Sequence, residues 1–130
     1  MSPVSADAPR QPSVVTVPLY QRKAEFFKTL GHPVRIRVLE LLSDGEQAVA
    51  ELLPEVGVEA AHLSQQLAIL RRTGLVLSRR EGASVFYRLT TPEVADLLAV
   101  ARSILGTLLT DQAGLLDELR TDTGPTQRRS

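Results

Sequence analysis

Along this chain the spacing of apolar residues changes twice, and each change marks a change of secondary structure. Up to Gly74 the period is helical: Leu63, Leu67 and Leu70 stand four and three apart, which puts them on one face of a helix. Leu75 to Arg80 and Ser84 to Leu89 are then short runs rich in Val, Leu, Phe and Tyr, separated by Glu81-Gly82-Ala83, and they predict a β-hairpin. After Thr91-Pro92, a cap and a first helical position, the helical period returns and carries apolar residues from Val94 to Leu119. Helices interrupted by one hairpin confine the chain to a mainly α fold with a β-hairpin.

Upstream of the hairpin the same reasoning gives four helices. Leu19, Ala24, Phe26, Phe27 and Leu30 keep helical spacing from Leu19 to Leu30, with Gly31 as a left-handed stop. Pro33 opens a second helix of about ten residues through Leu42, ended by Asp44-Gly45. A short third helix covers Gln47 to Leu53, with Pro54 and Gly57 discouraging extension, and a fourth runs from Glu59 to Thr73, closed by Gly74.

A chain of 130 residues supports one domain. Residues 1–16, with Pro3, Pro9 and Pro12, read as a flexible N-terminal arm, 17–120 as the folded domain, and 121–130 as a flexible polar tail. There is no cysteine, which excludes disulfides, thiolate metal sites and cysteine nucleophiles. No apolar run reaches the roughly 20 residues of a membrane span and no signal segment opens the chain, so the expected location is cytoplasmic, with no membrane partner.

Fifteen Lys and Arg balance fifteen Asp and Glu, but the charges are separated. Residues 60–90 hold Arg71, Arg72, Arg79, Arg80 and Arg88 against Glu81 alone, a net +4, whereas residues 91–124 are net −4. The fourth helix and the hairpin form a basic end whose local field can attract an anionic partner despite the neutral total. A short helix, a turn and a helix with an apolar inner face suit insertion into the major groove of DNA. The groove-facing set is then Ala61, His62, Ser64, Gln65 and Gln66: Gln can pair with adenine, Ser with base edges or phosphates, and Ala with a thymine methyl. Arg71, Arg72, Arg79, Arg80 and Arg88 would neutralise phosphates.

The order of motifs resembles the ArsR/SmtB family of bacterial transcriptional regulators over roughly Tyr20 to Leu109. The resemblance is carried by Phe26-Phe27-Lys28-Thr29-Leu30-Gly31-His32-Pro33-Val34-Arg35-Ile36-Arg37-Val38-Leu39, by Leu63-Ser64-Gln65-Gln66-Leu67 through Gly74-Leu75-Val76, and by Arg79-Arg80-Glu81-Gly82 with Tyr87-Arg88-Leu89. It implies a winged helix-turn-helix homodimer that represses transcription by occupying a double-stranded DNA operator and leaves it on binding a metal ion or other effector. By position, Ala61, His62, Ser64 and Gln65 fall on the family's base-reading helix, and Arg79, Arg80, Ser84 and Arg88 on its wing. The family's cysteine-bearing metal motif has no counterpart in Ala48-Val49-Ala50-Glu51-Leu52, and no histidine follows His62. Glu59 stands where many relatives have a hydroxyl cap, and Ala83 where a basic wing tip is common.

On the last helix Leu97 and Leu98, Ile104 and Leu105, and Leu108 and Leu109 are adjacent pairs, so its apolar surface is wider than one domain face needs. A partner helix is the simplest cover. This makes Leu97, Leu98, Ala101, Ile104, Leu105 and Leu108 candidate interface residues, and the resemblance adds Leu19, Tyr20 and Phe27 of the first helix across a twofold axis. The effector is not legible. His32 and His62 are the only imidazoles, and a nickel, cobalt or zinc site of His and carboxylates (Glu93, Asp96, Asp111, Asp7) is one alternative. A winged-helix module that binds protein rather than DNA is another. Catalysis is not expected: Ser64 and His62 are two apart on a helix and point to different faces, with no third group beside them.

Overall fold

The structure is a computed structural model that describes residues 16–123. The elements are α1 (Leu19–Leu30), α2 (Pro33–Leu42), β1 (Gln47–Ala48), α3 (Val49–Val56), α4 (Ala60–Arg72), β2 (Val76–Glu81), β3 (Ser84–Leu89) and α5 (Glu93–Thr123). The expected N-terminal arm, apart from Thr16, and the tail from residue 124 lie outside the described residues. α5 persists to Thr123, past the expected domain end at residue 120.

Local chemistry accounts for most of the boundaries. His32 is extended, as the residue before a proline prefers, and its Nδ1 accepts the amide of Val34 at 3.2 Å, capping α2 while Pro33 occupies the first turn. Gly31 corrects one expectation: its φ is −80°, so α1 stops without a left-handed residue, and His32-Pro33 ends the helix instead. Gly57 does take the left-handed conformation (φ 77°) and turns the chain from α3 into α4. Thr91 caps α5 through its Oγ1, 3.4 Å from the amide of Glu93.

The third helix differs from its expected form at both ends. Gln47 and Ala48 are not helical; they form β1, which pairs antiparallel with β3 as Gln47 with Tyr87 and Ala48 with Phe86. The sheet is therefore three-stranded, in the order β1-β3-β2. A two-residue strand is too short to carry a period, so it left no mark in the sequence. α3 then runs through Pro54 to Val56, because Leu52 is fully buried and Leu53 and Val56 pack on the core, and that packing outweighs the hydrogen bond proline removes.

The core sits where α2, α3 and α4 meet the base of the sheet and the first turns of α5. Val38, Leu39 and Leu42 of α2 close against Leu63, Leu67 and Leu70 of α4, Leu52 of α3 and Val76 of β2, and Val94 adds the start of α5. Leu97 and Leu98, expected at a subunit face, are half-buried against this core, so their own domain accounts for much of their burial. From Ala99 to Glu118, by contrast, α5 is exposed throughout. Replacing Leu63, which has no exposed surface, by alanine is expected to cost about 2–5 kcal/mol in urea unfolding at fixed protein concentration.

Candidate nucleic-acid interface

α3 and α4 form a helix-turn-helix, and burial divides α4 into three faces. Leu63, Leu67 and Leu70 hold it to the core. A second face meets α2: the His62 ring stands perpendicular to that of His32 with centroids 6.0 Å apart, and one turn on, the Gln66 Oε1 accepts from Arg35 Nη1 at 3.3 Å. The third face, Ala61, Ser64 and Gln65 with Arg71 and Arg72 in the last turn, is exposed. Glu59 begins α4 without a side-chain cap bond, which leaves the amides of the first turn open.

Two expectations change here. Gln66 does not face a groove: it is 7% exposed and turned toward Arg35. Its place was readable, since position 66 is three beyond Leu63 and four before Leu70 and so borders the apolar stripe. His62 is half-buried on the α2 side, which limits its reach outward. Arg35, which the sequence did not single out, carries a buried Nε with no hydrogen-bond partner among the described residues.

The hairpin also sorts its residues. Cross-strand partners share a face, so Leu77, Arg79 and Glu81 lie with Arg88, Phe86 and Ser84, while Arg80 lies with Val85 on the face that carries Ser78 and Tyr87. The four wing residues expected to act together are thus split, three to one. Arg79 is moreover engaged within the chain. Its Nε and Nη2 donate to the two carboxylate oxygens of Glu46 at 2.8 and 2.7 Å, its Nη1 donates to Glu81 at 2.7 Å, and its guanidinium lies 4.5 Å from the Phe86 ring centroid. Unlike that of the other arginines of the expected set, its charge is already matched by two carboxylates within the chain. Arg71, Arg72, Arg80 and Arg88 are exposed and form no ion pair among the described residues. Between α4 and the wing lies a cleft of about 400 Å³ lined by Ser64, Leu67, Ser84 and Tyr87 with Val49 and Ala50 of α3.

Among the described residues no three His, Cys, Asp or Glu side chains gather into a metal-binding group, and no helix is long and apolar enough to cross a membrane. Asp7, one of the carboxylates considered, lies outside the described residues.

The model for bacterial regulatory proteins of the arsR family matches residues 32–78, from the His32 cap into β2. An HTH-type transcriptional regulator of Mycobacterium tuberculosis is 53% identical over 104 residues, covering 79% of this chain and 91% of that protein. The chain belongs to the arsR family of bacterial regulatory proteins. The crystal structure of the M. tuberculosis protein superposes on this regulator with a TM-score of 0.69, at 52% identity over 75% of this chain and 99% of that one. The transcriptional repressor BigR of Xylella fastidiosa gives 0.62, at 40% identity over 65% of the regulator and 87% of BigR. A homodimeric winged helix-turn-helix DNA-binding domain of Mycobacterium bovis gives 0.63, at 33% identity over 70% and 84%. The regulator is a winged helix-turn-helix protein, with α4 as the second helix of the motif and the β2–β3 hairpin as the wing.

The Arg79 guanidinium, by hydrogen bonding first and by its charge, holds the Glu46 carboxyl below its ordinary value of 4.5, and Arg88 adds to the effect. A carboxyl lowered in this way stabilises the folded state above its unfolded value and loses that contribution as pH falls through its folded value. The pair is therefore fully charged at neutral pH. An NMR carboxyl titration is expected to place Glu46 below 4.5, and Arg79→Gln to move it upward.

Proposed function

We propose that this regulator is a sequence-specific DNA-binding repressor that occupies an inverted-repeat operator as a homodimer. One observation carries the reading: the outer row of α4 is exposed beside four arginines that form no ion pair among the described residues, while the inner row of the same helix is buried. Gln65, Ser64 and Ala61 read base edges; Arg71 and Arg72 on α4 and Arg80, Arg88 and Ser84 on the wing contact the backbone. Gln66 supports α4 from behind, and His62 stands at the edge of the reading face.

A second copy is invoked because the outer face of α1 and α5 is apolar and uncovered. Leu19, Tyr20 and Phe27 on α1 and Ile104, Leu105 and Leu108 on α5 are each more than half exposed, and Ala101 lies among the latter. Twofold pairing through this face sets two α4 helices about 34 Å apart, one turn of the duplex. The M. bovis domain is homodimeric and BigR is a repressor, in keeping with both halves of the reading. The regulator acts in the cytoplasm by occupancy rather than catalysis. An effector that binds the DNA-free form more tightly would release the operator.

Selection of duplexes from a random pool is expected to return inverted half-sites one turn apart. With all four arginines of both copies on phosphate, log K is expected to fall with log salt at a slope of up to about −7. Gln65→Ala should relax base preference at one position per half-site, whereas Arg72→Gln should weaken all sequences alike. Ile104→Asp with Leu108→Asp should give a monomer that no longer protects the full site. A wild-type monomer protecting one unsymmetrical half-site would overturn the proposal.

A further inference from the structure

We propose that Glu46 is a positioning residue for the wing: through Arg79 it fixes the angle at which the hairpin stands beside the recognition helix, and DNA affinity depends on it although it touches no DNA. This rests on the DNA-binding reading above and assigns to Glu46 and Arg79 a role that the basic character of the wing conceals.

The argument begins with where the hairpin leaves the body of the protein. β1 is two residues long and supports β3 only at Phe86 and Tyr87. Beyond Phe86, toward the Gly82-Ala83 turn, β3 pairs with β2 and with no further strand among the described residues. A two-stranded ribbon fastened at one end twists and bends about its last anchored pair. That pair is Phe86 with Arg79. The clamp thus sits at the hinge.

Its other end is a fixed point. Glu46 directly precedes β1, whose Gln47 donates its side-chain amide to the Leu41 carbonyl in the last turn of α2 at 2.7 Å, while the Ala48 amide donates to Glu51 of α3 at 2.9 Å. Glu46 is therefore held to the same α2–α3 frame that seats α4. The bidentate pairing admits one relative orientation of guanidinium and carboxylate, and the Phe86 ring beneath and Glu81 alongside remove the remaining freedom of the Arg79 side chain. Arg79 with its two carboxylates is net negative, so a phosphate gains little from approaching it, whereas Arg80 on the opposite face has no such partner among the described residues.

The test is a double-mutant cycle of Glu46→Gln, Arg79→Gln and both together, with Arg80→Gln as a phosphate-contact reference, on a duplex selected by the wild-type protein. Each clamp variant is expected to weaken binding about three- to tenfold, and the double variant no more than either single one, as for two residues acting through one interaction. Their salt slopes are expected to match the wild type, while Arg80→Gln lowers the slope by about two per dimer. Amide hydrogen exchange without DNA is expected to quicken in the hairpin of Glu46→Gln and to stay unchanged in α4. Unchanged affinity in Glu46→Gln, additive losses, unaltered hairpin exchange, or tighter binding with a steeper slope, which would make Arg79 a withheld phosphate contact, each overturns the proposal. A wild type that retains no duplex at low salt, with a hairpin that still loosens in Glu46→Gln, would overturn the DNA-binding reading and leave the clamp purely structural.

Discussion

The seating of α4 on α2 is the contact on which everything else in this molecule depends. Val38, Leu39 and Leu42 meet Leu63, Leu67 and Leu70 with almost no surface left to water, and close-packed contacts of this kind have one low-energy arrangement. Because three leucines fix the rotation of α4 about its own axis, they also decide which residues look outward. Ala61, Ser64 and Gln65 are exposed as a consequence of what Leu63 and Leu67 bury. The polar seam of His32 with His62 and Arg35 with Gln66 runs along the edge of the same contact, where a slip in register would bring unlike groups together.

Much of this was legible in the sequence, and the parts that were not share a physical cause. α1 falls where its spacing predicts, α4 within a residue, and the hairpin strands within a residue, because each carries several repeats of one period. β1 was missed because two residues carry no period, and the extension of α3 through Pro54 because burial of Leu52 is a tertiary effect. The candidate site divides in the same way. Ser64 and Gln65 are exposed on α4 as expected, whereas the Arg79 clamp joins residues 33 apart in sequence, and nothing in the local pattern announces that Glu46 will meet it. The burial of Gln66 is, by contrast, written in its position: three beyond Leu63 and four before Leu70, it borders the apolar stripe whatever its side chain could pair with.

The electrostatics show the same contrast between sum and arrangement. A chain with fifteen charges of each sign has no net charge, yet α4 and the wing present Arg71, Arg72, Arg80 and Arg88 with no ion pair among the described residues, while the first turn and distal half of α5 hold Glu93, Asp96, Asp111, Asp117 and Glu118. Within the basic end, Glu46 and Glu81 silence one arginine and leave four. The number of cations available to a partner is thus set by pairing inside the fold and is smaller than composition suggests.

α5 has a consequence of a different kind. At 31 residues it is a rod about 46 Å long, yet Val94, Leu97 and Leu98 in its opening turns tie it to its own core, and twenty residues from Ala99 onward stand in solvent. A helix with large apolar side chains and no packed face gains little from its backbone hydrogen bonds alone. In the homodimer proposed above, the second copy would supply the packed face that this stretch of α5 lacks within its own chain, so the length of the rod would set how far the twofold contact can extend beyond the body of each domain.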